Sequence, residues 1–330
     1  MSKFLFYPGC SMQRSARPYL DSLQAIQDDI GLELEEINDW NCCGATEYIS
    51  VSRLPAYALN GRNLALAAQQ ANGARTVIAP CSACYLNLAK TDNYMQKDAQ
   101  LNELVNEALA AGGLHYDPGS LKIRHLLDVI INRVGLDAVR RKVVNPLKGL
   151  RVAPYYGCMV VRPDPEHRFG NPEYPTALDD LMEALGAEVV DYPVKTQCCG
   201  GHMTQISSSV AYELIRRLIY AADSNQADIL VTLCPMCQLN LDAYQEDMND
   251  HFGTDYHIPI VYFTQLMGLA FGHHPSELGL GKEFVDARHA LMKIGVEVPE
   301  EPKTKERRVR RKDDPRLPMP QPLGTKEENA

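Results

Sequence analysis

The sequence has no long run of apolar residues. A membrane-spanning helix needs about 20 consecutive, mostly apolar residues, and no segment of the 330 residues approaches that length. The apolar stretch at residues 4–7 is also shorter than the ~7–15-residue core of a secretory signal. We therefore expect no membrane span and a cytoplasmic protein, in which cysteine thiols stay reduced.

Two redox motifs are also missing. There is no G-x-G-x-x-G fingerprint, the glycine-rich turn by which many α/β proteins bind dinucleotides. The closely spaced C-x-x-C-x-x-C-x-x-x-C-P run of bacterial ferredoxin modules is absent as well. The sequence therefore predicts no nicotinamide or flavin site and no ferredoxin-type relay within this chain.

What the sequence does have is ten cysteines arranged as two matching sets of five. The first set is Cys10, Cys42, Cys43, Cys81 and Cys84, and the second is Cys158, Cys198, Cys199, Cys234 and Cys237. Each set reads as a single cysteine, an adjacent pair and a C-x-x-C. Free cysteine used for packing follows no repeated spacing, whereas thiolate is the usual ligand of soft metals and iron–sulfur clusters. The pattern predicts two metal sites related by duplication.

The residues around the cysteines repeat too. The tetrapeptide ending at Cys10 begins with tyrosine and has glycine before the cysteine, as does the one ending at Cys158. A glycine follows each cysteine pair, at Gly44 and Gly200, and an apolar run precedes each C-x-x-C. We therefore predict a first domain at residues 1–148 and a second domain at 149–298.

Apolar runs alternate with segments of helical periodicity in both halves. Strands are predicted at residues 3–7, 34–37, 76–79, 151–155, 188–192 and 229–232, with helices near 16–30, 55–70, 176–185 and 210–222. This alternation indicates an α/β fold with two related halves and parallel sheets. Because the carboxyl ends of parallel strands meet at one edge, the cysteines that follow those strands should converge there.

Five thiolates per site do not suit the common metal sites. A structural zinc ion and an ordinary 4Fe–4S cube each take four ligands, and adjacent cysteines point to neighbouring metal atoms better than to one. Iron–sulfur ligation is therefore favoured. Zinc in one of the sites is the lesser alternative, and disulfides or inert packing are weaker still.

This motif resembles the CCG-domain proteins, and most closely the catalytic B subunit of heterodisulfide reductases, over about residues 1–270. The resemblance implies that each set of five cysteines holds a noncubane 4Fe–4S cluster. It also implies that the two clusters face each other between the halves and act on a disulfide substrate. Electrons would then pass through a ferredoxin-like C subunit and a flavin-bearing A subunit of the same complex.

The loop after the first cysteine pair, residues 44–48, lacks the proline-containing run of methanogen-type proteins. It resembles bacterial relatives, including the B subunit of the heterodisulfide-reductase-like complex of sulfur oxidisers. This branch implies disulfide or persulfide chemistry on a lipoyl-bound sulfur carrier. The alternative is an electron-transfer subunit of a quinone-linked dehydrogenase of the succinate or lactate type.

Two side chains near the second cysteine pair are weaker candidates. His202 lies three residues after Cys199, where its imidazole could donate a proton to sulfur near neutral pH. A loop histidine bonded only to backbone is an equally good interpretation. Lys195 could balance cluster charge, but a lone lysine beside a loop is usually solvated.

Residues 299–330 differ in composition from the rest of the chain. They combine a basic stretch at 303–312 with four prolines, Pro315, Pro318, Pro320 and Pro322, which prevent regular structure. We predict a flexible C-terminal arm that orders on a partner subunit. The net charge of −9 makes nucleic-acid binding a poor interpretation of the basic stretch.

Overall fold

The computed structural model describes residues 2–45, 48–161 and 169–299. These residues belong to one compact unit, Met1–Pro299. The predicted C-terminal arm lies outside the described residues, apart from its first residue.

The first half contains a four-stranded parallel sheet. Its strands are β1 (Ser2–Phe6), β2 (Leu32–Glu36), β3 (Thr76–Ala79) and β4 (Lys122–His125). They lie in the order β2-β1-β3-β4, with Leu5 paired to Val77 across the centre. The central strands β1 and β3 are apolar and buried, as expected of a parallel sheet covered on both faces.

The second half repeats this topology. Its strands are β5 (Arg151–Tyr155), β6 (Gly170–Asn171), β7 (Tyr174–Pro175), β8 (Glu188–Val189), β9 (Ile229–Thr232) and β10 (Ile260–Tyr262). The parallel sheet has the order β10-β9-β5-β8, which read from its other edge matches the first sheet strand for strand. Strands β6 and β7 form a separate antiparallel pair. The duplication seen in the cysteines therefore extends to the sheets.

Helices connect the strands on both faces. They are α1 (Gly9–Met12), α2 (Arg17–Ile26), α3 (Tyr48–Val51), α4 (Arg53–Gln69), α5 (Ser82–Lys97), α6 (Ala99–Ala110), α7 (Leu126–Val129), α8 (Leu136–Lys142), α9 (Ala177–Ala184), α10 (Met203–Ile206), α11 (Ser208–Ser224), α12 (Pro235–Ala243), α13 (Gln245–Phe252), α14 (Phe263–Phe271) and α15 (Arg288–Met292). A π-helical turn, Ile130–Val134, follows α7.

The two halves share a packed interface in which α2 contacts α14. Helix α2 begins with a proline in its first turn and buries Tyr19, Leu23 and Ile26 on one face. The Tyr19 ring stacks on Tyr262 of the second half, with ring centroids 4.4 Å apart. Contacts of this kind join both sheets through a continuous core.

The predicted α/β fold with parallel sheets is confirmed, and three of the strands match to the residue. Two predicted elements are too long. Helix α2 ends at Ile26, because the chain turns through Gly31 in a left-handed conformation (φ 67°). Strand β8 ends at Val189, and the Val190 N–H makes one more backbone bond, to the carbonyl of Val152 in β5. The boundary after residue 148 stays a prediction.

Candidate metal centre

Each cysteine loop follows the carboxyl end of a parallel strand. In the first half, Cys10 follows β1, the pair Cys42-Cys43 follows β2, and Cys81-x-x-Cys84 follows β3 and opens α5. The second half places its five cysteines after β5, β8 and β9 in the same way. The structure therefore brings together the thiols that the sequence analysis selected.

The thiols lie in close pairs rather than in disulfides, and all ten are free. The sulfur–sulfur distance is 3.6 Å between Cys10 and Cys42, and 3.4 Å between Cys43 and Cys84. In the second half, Cys199 and Cys237 lie 3.6 Å apart, and Cys158 and Cys198 lie close enough to shift each other's pKa. The two sets thus have the same internal pairing.

The two sets also meet each other. The thiols of Cys81 and Cys234, the first cysteines of the two C-x-x-C loops, approach each other across the interface between the halves closely enough for each to shift the pKa of the other. The Tyr19 hydroxyl lies 3.3 Å from the carbonyl oxygen of Pro80 and 3.4 Å from that of Leu233. One buried tyrosine therefore supports the backbone just before both of these cysteines.

Matching hydrogen bonds hold the loops in both halves. The Tyr7 hydroxyl donates to the carbonyl of Asn41 at 2.6 Å, and the Tyr155 hydroxyl donates to that of Gln197 at 2.8 Å. Each bond ties the first cysteine loop to the residue before the cysteine pair. In addition, Asn87 and Asn240 donate to the carbonyls of Cys43 and Cys199, respectively. These side chains were not predicted as site residues, although the Asn-Leu repeat after each C-x-x-C was a usable signal.

The glycine before the first cysteine of each set allows a close approach to sulfur. A Cβ at Gly9 would lie 2.8 Å from Cys84 Sγ, and a Cβ at Gly157 would lie 3.0 Å from Cys237 Sγ. Both glycines also have positive φ angles, 74° and 69°, which L residues adopt at a cost. Glycine is therefore required here by both space and conformation.

Shared protons give the thiols of each cysteine pair different acidities. The nearby Cys10 thiol lowers the pKa of Cys42 to about 2, and the nearby Cys158 thiol lowers the pKa of Cys198 to about 2. The neighbouring thiolate raises the pKa of Cys43 to about 11 and that of Cys199 to about 12. Each site therefore presents a ready anionic ligand.

A cavity of about 270 Å³ adjoins the second set. Cys158, Cys198, Cys199, Cys234 and Cys237 all contribute to its wall, with Tyr156, Met159, Met203, Met236 and Ile206 making much of the rest apolar. A separate pocket in the first half, with Cys43 as the cysteine in its wall, holds only about 10 Å³.

The two weaker candidates have different surroundings. His202 lies in the wall of the cavity beside Cys198 and Cys199. Lys195 is only 1% exposed, and its Nζ lies 2.6 Å from Asp179 Oδ1 and over the ring of Tyr174. The expectation of a solvated lysine was wrong, because three segments close around this side chain and supply its partners.

The donor set fits a multinuclear cluster better than a single ion. Cys43 lies close to both Cys42 and Cys84, and Cys84 lies close to both Cys43 and Cys81, so the sulfurs form a connected row along the loop edge. The neighbouring metal atoms of an iron–sulfur cluster would take ligands arranged in such a row.

The comparison with protein families matches both halves of the chain. The family model described as CCG, cysteine-rich domain, matches residues 4–89 and again residues 152–242, together more than half of the 330 residues. Each match contains one complete set of five cysteines.

The alignments with curated relatives cover nearly the full length of each relative. The 8-methylmenaquinol:fumarate reductase membrane anchor subunit of Wolinella succinogenes is 35% identical over 86% of this chain and 98% of its own. The B subunit of the ferredoxin/F420H2-dependent CoB-CoM heterodisulfide reductase of Methanosarcina acetivorans is 29% identical over 89% of this chain and 97% of its own. A protein of Archaeoglobus profundus described as like the B subunit of heterodisulfide reductase is also 29% identical, over 84% and 93%.

A solved structure shares the fold. A hypothetical protein from Helicobacter pylori superposes with a TM-score of 0.68, covering 86% of this chain and 52% of that one at 15% identity. Helices that could cross a bilayer were sought in the described part of the chain, and none was found.

Proposed function

Because the chain belongs to the CCG cysteine-rich domain family, we propose that it is the iron–sulfur subunit of a heterodisulfide-reductase-type complex. It cleaves or forms disulfide or persulfide bonds at two facing clusters. The observation that carries this proposal is the meeting of two complete five-thiol sets at Cys81 and Cys234. A simple electron relay needs only one exposed cluster, whereas a two-electron reaction at a sulfur–sulfur bond is well served by two adjacent ones.

Each set of five cysteines would hold one noncubane 4Fe–4S cluster, as the family pattern implies. When bound, the two clusters supply the electrons for breaking the sulfur–sulfur bond, which takes two electrons and two protons and yields two thiols. The chain's own residues hold the ligands, shield them from water and shape the space beside them. The glycines at 9 and 157 and the amides of Asn87 and Asn240 fix the loops for this purpose.

The cavity beside the second set is the proposed substrate site. Its apolar wall accepts the hydrocarbon part of a disulfide or of a lipoyl arm, and the sulfur end would face the side of the cavity where the five cysteines would hold the cluster. His202 lies in the same wall and is the proposed proton donor to a departing sulfur. Tyr156 also lines the cavity, but its hydroxyl is bonded to Asp179 at 2.8 Å.

The proposed setting is sulfur oxidation in the cytoplasm, with a lipoyl-bound carrier as the sulfur donor. Electrons then leave through a ferredoxin-like C subunit and a flavin-bearing A subunit. The residue pattern at 44–48 supports this branch.

A second candidate function rests on a specific finding. The relative with 35% identity over 98% of its length belongs to an 8-methylmenaquinol:fumarate reductase. In that setting the two clusters would pass electrons between a quinol and a dehydrogenase partner, with no sulfur substrate. This is the alternative that the proposed function has to exclude.

One experiment separates the two functions. The protein is purified anaerobically, reduced, and examined by electron paramagnetic resonance before and after addition of oxidised lipoamide, with thiol release measured in parallel. We expect the cluster spectrum to change and thiols to form, and we expect neither in the Cys198→Ser variant. If lipoamide leaves the spectrum unchanged while a menaquinol analogue reduces the clusters, the quinol-linked function replaces the proposed one.

A further inference from the structure

Ser82 belongs to the first half but lines the cavity of the second. It follows Cys81 in the first C-x-x-C and begins α5. Its neighbours in the cavity wall include Cys234, Met236 and Cys237. The contact between Cys81 and Cys234 brings Ser82 there, so the second site contains a side chain from the opposite half.

The Ser82 hydroxyl is buried without a partner. The residue is 1% exposed, and Oγ makes no hydrogen bond within the described residues. Other buried side-chain atoms in the same situation, such as Asn60 Oδ1 and Thr232 Oγ1, belong to residues that do not line this cavity. A buried hydroxyl without a partner destabilises a protein, and alanine would suit the start of a helix interior as well. A hydroxyl at this place therefore indicates an acceptor that occupies the cavity.

The corresponding position in the second C-x-x-C is Pro235, which has no side-chain donor. The duplication has thus kept the cysteines and lost symmetry at the residue between them. A hydroxyl reaches the second site from the first half, and proline stands at the reciprocal position.

We propose that Ser82 donates a hydrogen bond across the interface to a sulfur atom in the second site and is a positioning residue for that sulfur. The proposal rests on the proposed function for the presence of a cluster. The acceptor chemistry is a partly negative sulfur, which comes either from the cluster or from the substrate. Donors to cluster sulfur stabilise the reduced state, and donors to substrate sulfur strengthen its binding.

The test uses Ser82→Ala in the cluster-loaded full-length protein, with Ser82→Thr as the variant that keeps a hydroxyl. Proton electron–nuclear double resonance in H₂O and D₂O detects an exchangeable proton coupled to the second-site cluster. If the acceptor is a cluster sulfur, Ser82→Ala loses this coupling and shifts that cluster to a more negative potential, and Ser82→Thr retains both. If the acceptor is a substrate sulfur, the potential is unchanged and the affinity for the uncharged probe 2-hydroxyethyl disulfide falls about tenfold.

Ser11→Ala is the matched control, because Ser11 directly follows Cys10 in the first site and its side chain lies close enough to lower the pKa of that thiol. It should alter the first-site signal and leave the second unchanged. Signals are assigned to the sites with Cys10→Ser and Cys158→Ser.

The proposal is overturned if Ser82→Ala, with iron and sulfide content equal to that of the wild type, changes neither the coupling, the potential nor the affinity for the probe. The cluster measurements need no disulfide turnover. A protein that fails to act on disulfides but shows the Ser82-dependent coupling would therefore refute the proposed function alone.

Discussion

The two five-cysteine sites have the same set of thiols but different surroundings. In the first site, side-chain amides hold the cysteine-pair loop: Asn60 donates to Cys43 O at 3.0 Å, and Asn63 donates to Asn41 O at 2.9 Å. In the second site, a buried Lys195–Asp179 pair lies behind the loop, and a cavity of about 270 Å³ lies in front of it.

The difference teaches that the two sets share their thiols and loop geometry but not the residues packed around them. Exposure does not distinguish the sets, because Cys10 and Cys42 are exposed in the first and Cys198 is exposed in the second. Within the proposed function, the cavity assigns the substrate to the second site and leaves electron exchange with a partner to the first.

The largest expected effect comes from removing one ligand at each site. Cys42→Ser and Cys198→Ser should each retain roughly half of the iron and lose on the order of 100-fold or more in disulfide turnover, since even residues that only support metal ligands cost about 10–100-fold. Iron content and anaerobic turnover measure this. Only Cys198→Ser should also abolish the change that a disulfide causes in the cluster spectrum. If Cys198→Ser still shows that change, the substrate does not bind at the second site.

The next largest effect concerns the buried ion pair between Lys195 and Asp179 at the second site. Lys195→Met leaves the carboxylate of Asp179 buried without its cation, and we expect a loss of about 3–5 kcal/mol in the free energy of unfolding. Urea denaturation under anaerobic conditions measures it. Adding Asp179→Leu should recover part of the loss, because the uncompensated charge is then gone.

The first site provides the matched control for this ion pair. Asp39 occupies the equivalent position before the cysteine pair, and its partner Arg62 forms a solvent-exposed ion pair. Asp39→Asn should cost no more than about 1 kcal/mol. Equal losses at Asp39 and Lys195 would contradict the contrast between the two sites.

A smaller effect is expected at the glycines that lie against sulfur. Gly9→Ala should destabilise the protein by roughly 2–4 kcal/mol and reduce cluster retention, because it adds a contact with Cys84 Sγ to the cost of a positive φ. Gly31→Ala isolates the conformational cost, since its φ is 67° and nothing lies within 4 Å of its Cβ. Thermal unfolding and iron content should show the largest loss for Gly9→Ala, a smaller loss for Gly157→Ala and the smallest for Gly31→Ala.

The smallest expected effect is a pH dependence of the free energy of unfolding that arises in the second half. The helix that follows each C-x-x-C carries a buried aspartate that accepts a backbone N–H, Asp92 from Gly119 and Asp242 from Val285. Near Asp242, burial raises the pKa of Glu283 from 4.5 to about 7.

Because the folded chain holds this proton more tightly than the unfolded chain, its stabilising contribution is present below about pH 4.5. It is lost as the pH rises through about 7. Glu283→Gln should reduce the decline in stability between pH 5 and 8 by about 1–2 kcal/mol. Denaturation across this pH range measures the change in the free energy of unfolding. If Glu283→Gln leaves the pH dependence of that free energy unchanged, Glu283 does not cause it.

The sequence predicted which thiols lie together better than it predicted the contacts that join the halves. The cysteines repeat at fixed positions after apolar runs, and this periodicity survives in a single sequence. Strand β3 was predicted to the residue because a short apolar run ends at Pro80.

Tyr19 could not be distinguished from an ordinary core residue of an amphipathic helix. Its role depends on how the second half packs against it, and local periodicity does not contain that information. Lys195 was misjudged for the same reason, since Asp179 and Tyr174 reach it from another segment. A pattern that repeats along the chain is therefore readable from sequence, whereas contacts that depend on how distant segments pack need the structure.

The central claim is that each five-cysteine set holds one iron–sulfur cluster. Its most direct test is iron, sulfide and zinc analysis of the anaerobically purified wild-type chain. The account predicts about eight iron and about eight sulfide per chain, with zinc close to zero. Zinc as the main metal, or iron for no more than one cluster, would contradict it.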